Sequence, residues 1–306
     1  MVPRRRIGAY GLCRDAAGRI LLVRGARAGY AGAWHLPGGG VEHGEHPADA
    51  LVREFAEETG LAVTIVRLLD VALSIYRMEQ RDMLMHNDRV IYEVAAVGGE
   101  LRAEADGSTD DARWFTTDEL VDLPVTPATA RLLRAGRQTG GLDPSEWPGL
   151  VAQASPAPSN GVPTHVQRFA AYGLTTDPDG RYLLTRISPG YPGGGSWHLP
   201  GGGTDFGESA AVGLARELAE ETGQIGTVGA LLHVEDFHNP AAYGPEKQAI
   251  DWHTVRSVFR VEVTNPTPPH VYDAGGSTDR AAWFTRADVQ QLQLNQMAQR
   301  VFRQYV

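Results

Sequence analysis

The chain has 306 residues and a formal net charge of −9, a length on the order of two ordinary domains. With 42% apolar residues, 21% charged residues and a single cysteine, Cys13, it is neither disordered nor collagenous, carries no internal disulfide framework, and fits a reducing cytoplasm. No run approaches the roughly 18 apolar residues of a membrane span, no secretory leader is expected, and neither half is basic, which disfavours a nucleic-acid backbone binder.

In chain order, Ala9-Tyr10-Gly11-Leu12 reads as a first strand, and Ile20-Leu21-Leu22-Val23, after a glycine turn, as a buried second one. Trp34-His35-Leu36 leads into the loop Pro37-Gly38-Gly39-Gly40. A helix follows, with Pro47 suited to its first turn and Gly60 placed for a left-handed stop. Strands are expected at about 66–75 and 90–97, then Trp114-Phe115-Thr116 and a helix near 118–123. Residues 141–164, rich in Pro, Gly, Ser and Ala, read as a linker in which Trp147 and Leu150 are the side chains able to dock on a domain.

The same order then starts again. Trp34 to Gly40 returns as Trp197 to Gly203, and 18 of the 27 residues from Trp34 to Gly60 match their partners 163 positions on. Tyr10-Gly11-Leu12 returns as Tyr172-Gly173-Leu174, and Trp114-Phe115-Thr116 as Trp283-Phe284-Thr285. Strands are expected again at 228–234 and 255–263, with a helix from about Arg286. A repeat of this length is a duplicated domain, not a solenoid unit. The expected division is 1–140, linker 141–164 and 165–306, each domain a mixed α/β sandwich.

The chemistry concentrates in one helix of each copy. Glu54, Glu57 and Glu58 fall at i, i+3 and i+4, so all three face one way, while Leu51 and Phe55 share a face suited to packing on a sheet. Three carboxylates on one stripe repel, and Arg53 alone does not neutralise them; hard divalent cations with oxygen ligands would. The triple-glycine loop lets backbone approach a metal or a phosphate closely. A lone Glu-x-x-Glu-Glu is ordinarily a solvated acidic face. Here Glu45, Arg53, the glycines and all three glutamates recur at the same spacing as Glu208, Arg216, Glu217, Glu220 and Glu221.

This stretch resembles the box of the Nudix hydrolases, Gly-x5-Glu-x7-Arg-Glu-U-x-Glu-Glu-x-Gly-U, with U a bulky apolar residue. The first copy matches every fixed position from Gly39 to Leu61; the second departs only at Gln224, the final U. The resemblance implies a Nudix α/β/α sandwich in each copy and hydrolysis of a nucleoside diphosphate linked to another moiety. It implies Mg²⁺ or Mn²⁺ on Glu54, Glu57 and Glu58 and on Glu217, Glu220 and Glu221, with a Gly38 or Gly201 carbonyl as an added ligand. Arg53 and Arg216 would orient the glutamates, and Glu54 or Glu217 would take the water's proton or hold the metal that activates it. Several family members place a further glutamate on a later loop. The loops at Ser108 and Ser277 hold none, which leaves Asp110 and Asp279 as nearest substitutes, or as ordinary turn residues.

Other residues carry weaker signals. Arg24 and Arg186 recur after the second strand and suit either a phosphate clamp or a surface ion pair. Gly38, Gly39, Gly201 and Gly202 would line the phosphates, and Tyr76 lies where the family selects substrate. Trp34 and Trp197 suit core packing more than base stacking, and His35 and His198 suit satisfied strand histidines more than phosphate contacts. The stretches 77–88 and 239–251 read as lid loops, while His253 and His270 are unremarkable alone. The expected ligand is a nucleotide-like small molecule, with no membrane or nucleic-acid partner and oligomeric state left open. A sensor that binds without cutting is the competing function, as is one catalytic copy beside a binding copy; such modules typically lose box glutamates, and neither copy has.

Overall fold

The computed structural model describes residues 2–26, 31–78, 81–104, 107–135, 163–243, 248–272 and 275–306. The expected linker, with Trp147 and Leu150, lies outside them up to residue 162. The chain divides into two compact units: Met1–Gln167 with Asp236–His253, and Arg168–Glu235 with Thr254–Val306. No helix among the described residues is long and apolar enough to cross a membrane.

In the first unit, β1 (Val2–Cys13), β2 (Ile20–Gly25), β3 (Trp34–His35) and β4 (Gly38–Gly40) precede helix α1 (Pro47–Thr59). Then come β5 (Leu61–Met78), β6 (Met83–Gly99), β7 (Thr109–Phe115) and α2 (Pro127–Ala135). One sheet runs β4-β1-β6-β5 and a second β3-β2-β7. The first sheet is mixed: β1 runs parallel to β6, while β4 and β5 are antiparallel to their neighbours. Burial explains α1, since Ala50, Leu51 and Phe55 are fully enclosed and Phe55 packs over Gly11 of β1. The glutamate stripe, one helical turn round, is thereby aimed at the β4 loop. Trp34 belongs to a core with Tyr10, Ile20, Leu22, Leu36 and Ile91 and meets Phe115 edge-on.

The second repeat supplies β8 (Thr164–Thr176), β9 (Tyr182–Ile187), β10 (Trp197–His198), β11 (Gly201–Gly203) and α3 (Ala210–Thr222). After these come β12 (Thr227–Tyr243), β13 (Ala249–Glu262), β14 (Thr278–Phe284), α4 (Arg286–Val289) and α5 (Gln296–Tyr305). Its strands order as β10-β9-β8-β13-β12, with β11 on β8 and β14 on β9. The second unit's core gathers Leu174, Leu184, Trp197, Leu199, Val258, Met297 and Val301. Both tryptophans are therefore core residues, Trp197 meeting Phe284 as Trp34 meets Phe115.

Four local expectations change. The stretches 77–88 and 239–251 are not free lid loops: most of their described residues extend the hairpins β5–β6 and β12–β13. Strand β5 starts at Leu61 because Gly60, in the left-handed region at φ 70°, turns the chain straight into it. Residues 118–123 form turns, and the helix waits until Pro127, where the Thr126 hydroxyl accepts from Thr129 N–H. Leu120 and Leu123 still reach the core, which is why the segment looks amphipathic.

Candidate active site

Arg53 organises the first cluster. Its Nε donates to Glu45 Oε1 at 2.9 Å, and Nη2 donates to Glu45 Oε2 at 2.9 Å and to the Gly40 carbonyl at 3.0 Å. Its Nη1 reaches Glu54 Oε1 at 3.0 Å and Glu57 Oε2 at 3.5 Å. The fork of the guanidinium makes this possible; a point-charge ammonium would not. Glu45 in turn accepts from Glu42 N–H at 2.9 Å, so the loop between β4 and α1 is closed on the same arginine. The second unit repeats this contact by contact: Arg216 holds Glu208 bidentately, the Gly203 carbonyl, Glu217 at 3.0 Å and Glu220 at 3.1 Å.

The third glutamate is turned inward. Glu58 is 2% exposed and accepts from Gly38 N–H at 2.8 Å, as Glu221 accepts from Gly201 N–H at 3.0 Å. Two glycines are sterically required here. Gly38 and Gly201 both sit at φ 134°, where a Cβ would strike the neighbouring strand's backbone. A Cβ on Gly39 would strike the Glu54 carboxylate, and one on Gly202 would crowd Glu217.

The electrostatics follow from burial of like charge. Desolvation pushes Glu58 up to about 8, with the Glu54 and Glu104 carboxylates adding to it against the Gly38 and Ser108 hydrogen bonds. Burial also raises Glu54 and Glu217, against the pull of Arg53 and Arg216. Glu57 and Glu220, about half exposed, form the solvent side of each cluster. Among the described residues, neither glutamate cluster brings three carboxylate oxygens to ligand spacing of one another. The donor set itself, several carboxylates around backbone oxygens with a buried one held high, fits a hard divalent cation.

The sequence missed Glu104. It lies upstream of the Ser108 turn, where the spacing gave no reason to look, yet its Oε2 accepts from Ser108 N–H at 2.8 Å. The Ser108 hydroxyl lies 3.3 Å from Glu58 Oε1 and 3.5 Å from Glu104 Oε2, which ties the two carboxylates together. Asp110 instead pairs with Arg24 at 2.7 Å, and Asp279 with Arg186 at 2.9 Å, on the β2–β7 and β9–β14 strand ends. Tyr76 stands on β5 opposite Met85. Tyr10, read from the sequence only as a strand and repeat residue, is buried under the Arg89 guanidinium at 3.5 Å; burial would raise its phenol, but Arg89 and Arg6 outweigh that and hold it low. In the second unit burial wins and the Tyr172 phenol is raised.

The NUDIX domain model matches this chain twice, at residues 3–136 and 166–305. An ADP-ribose pyrophosphatase of Methanocaldococcus jannaschii is 36% identical over 105 residues, covering 34% of this chain and 59% of that protein. A MutT-like protein of Streptomyces ambofaciens is 28% identical over 133 residues, covering 44% of this chain and 78% of that one. Among solved structures, a MutT NUDIX hydrolase of Burkholderia pseudomallei is 32% identical, covering 43% of this chain and 97% of that one, at a TM-score of 0.38.

Proposed function

The chain belongs to the Nudix family in both of its repeats, and on that footing we propose that it is a metal-dependent hydrolase of the diphosphate linkage in a nucleoside diphosphate joined to another moiety. The observation that carries the reading is the arginine clamp, made by Arg53 and made again by Arg216 on the same set of partners. A solvated acidic face has no use for a partly buried guanidinium holding three carboxylates and a carbonyl.

Glu54, Glu57 and Glu58, with Glu104 beside them, are the residues to hold Mg²⁺ or Mn²⁺ in the first repeat; Glu217, Glu220 and Glu221 are those of the second. When bound, such an ion supplies Lewis acidity toward the diphosphate and toward water. The protein's own groups do the rest. Arg53 fixes Glu54 through one oxygen and leaves Oε2 to take the attacking water's proton. Gly38 and Gly39, with Gly201 and Gly202, lend bare backbone to the phosphates. Arg24, Arg186 and Tyr76 are put forward for the remainder of the substrate. A net charge of −9 suits a small anionic ligand screened by cations better than a nucleic-acid backbone.

The test is a panel of ADP-ribose, nucleotide sugars, dinucleoside polyphosphates, NADH and oxidised nucleoside triphosphates, assayed with Mg²⁺ and with Mn²⁺, with products resolved by mass. Cleavage at a diphosphate is expected, and Glu57→Gln combined with Glu220→Gln should lower turnover by at least about 100-fold. Wild-type turnover in that double variant would show the metal sites to be misassigned. Tight binding of one nucleotide with no cleavage of any would make the protein a sensor instead.

A further inference from the structure

Three of the ten histidines of the chain crowd one carboxylate, and a fourth stands beside them. His43 comes from the loop between β4 and α1, His165 from the start of β8, His238 from β12, and Asp251 and His253 from β13; all belong to the first unit. Asp251 Oδ1 is 2.7 Å from His238 Nε2 and 2.9 Å from His43 Nε2, and Oδ2 is 3.5 Å from His165 Nε2. The His43 ring stacks on His165 at 4.5 Å and stands perpendicular to His238 at 5.3 Å.

Hydrogen bonding accounts for only part of this arrangement, the His238–Asp251 contact at 2.7 Å. His43 Nε2 is buried and has no hydrogen-bond partner, although Asp251 Oδ1 lies 2.9 Å away: the distance is short and the direction wrong. Two imidazole nitrogens aimed at one oxygen compete for the same lone pairs. A cation between them accepts from all three groups at once. Among the described residues, a ring nitrogen from each of His43 and His238 and a carboxylate oxygen of Asp251 form the one such set lying within 4.8 Å of one another. Zinc-type bonds of about 2.0–2.1 Å in a tetrahedron place donors about 3.3 Å apart, so the two contacts to Asp251, at 2.9 and 2.7 Å, need to open by only about half an ångström.

The surroundings are shaped to the same end. Gly44 is left-handed at φ 79°, and a Cβ there would lie 2.9 Å from the His238 ring, so the glycine is what lets that ring reach the loop. Gln167 Nε2 donates to the Val41 carbonyl at 3.1 Å and lies 3.1 Å from His253 Nδ1, which fixes the loop that carries His43 and orients a fully buried second imidazole behind it. The position matching His43 in the second repeat is Phe206, so the feature occurs once per chain.

We propose that His43, His238 and Asp251 form a three-residue site for a zinc-class transition-metal ion whose fourth position is left to water, separate from the hard-cation glutamate clusters. Imidazole nitrogen selects for such ions and against Mg²⁺. His43 lies two residues before Glu45, so an ion there pins the loop whose glutamate holds Arg53. The role is therefore one of positioning.

The experiment uses the full chain, stripped of metal and titrated with Co²⁺ in excess Mg²⁺. One equivalent should bind with the strong visible absorption of four-coordinate cobalt, and equimolar Zn²⁺ should bleach it. His238→Ala should abolish the band and weaken Zn²⁺ binding by more than about 100-fold; His43→Ala, on a different element, should do the same if one variant misfolds. The Glu57→Gln, Glu220→Gln double variant should keep the band. A band that survives both histidine changes and is lost with the glutamates would place the ion in the Nudix boxes and overturn the proposal. Failure to bind any Co²⁺ or Zn²⁺ would overturn it too, leaving a hydrogen-bonded histidine cluster.

Discussion

His35 and His198 carry imidazoles held neutral by their surroundings. Both flank the glycine loop that meets phosphate in the Nudix reading, yet burial pushes each down to about 4, against an ordinary 6.5. His35 Nδ1 is 3.0 Å from the Leu36 carbonyl and His198 Nε2 is 3.1 Å from the Thr185 hydroxyl, so both are satisfied as neutral rings. The sign of the pH effect follows. Between about 6.5 and 4 the unfolded chain binds the proton and the folded one does not, so stability is present above 6.5 and is lost as the pH falls. By pH 4.5 each ring should cost about 2 to 3 kcal/mol relative to pH 7. Urea unfolding at the two pH values checks this: His198→Gln should flatten the acid loss in the second unit, and an unchanged slope would mean that the ring is protonated in the fold. Glu104 teaches the converse. It enters the glutamate cluster through Ser108, and a reading confined to the Ser108 turn itself could only offer Asp110, which the Arg24 ion pair claims.

The two box helices were legible as elements because their signals are local. Gly60 and Gly223 do end α1 and α3, at φ 70° and 69°, and Ser209 does cap α3, its hydroxyl accepting from Val212 N–H at 3.4 Å. Less visible was the cap of α1, where His46 Nδ1 accepts from Ala48 N–H at 3.1 Å, since histidine is not a usual cap. Ser209→Ala should lower stability by about 1 kcal/mol without touching Arg216 or its partners, a change that thermal unfolding would register while hydrolysis per folded molecule stays constant. A comparable fall in activity would mean that the first turn of α3 feeds the site directly. The long hairpins were hidden for a different reason. Strand ends of mixed polarity such as 77–78 and 239–243 carry no alternation to read, and only their partners across the sheet make them strands.

At the level of the whole molecule the duplication was plain, since 18 matches in 27 residues leave no other reading. The grouping of residues 236–253 with the first unit was not, because it rests on contacts between residues far apart in the chain, such as His43 with His238 and Asp251. The duplication sets up a last question, which is how activity divides. Both clusters carry the full set of clamp contacts, and Gln224, the one departure from the box, is 1% exposed and spent on hydrogen bonds to Thr222 and Thr267. It sits behind the helix end and touches none of the glutamates, so it gives no reason for the second site to be silent. Glu57→Gln should therefore leave the second repeat's rate and Glu220→Gln the first's. With independent sites, the two residual kcat values add up to the wild-type value on a substrate that both accept. Burial raises both phenols, but Arg89 and Arg6 bring that of Tyr10 below its ordinary value while that of Tyr172 stays above it, so the two repeats are not electrostatically equivalent. Across the nucleotide panel, the ratio of the two residual rates should accordingly shift from substrate to substrate. A single variant as dead as the double would instead show that one repeat does all the chemistry and that the other keeps its glutamates for binding alone.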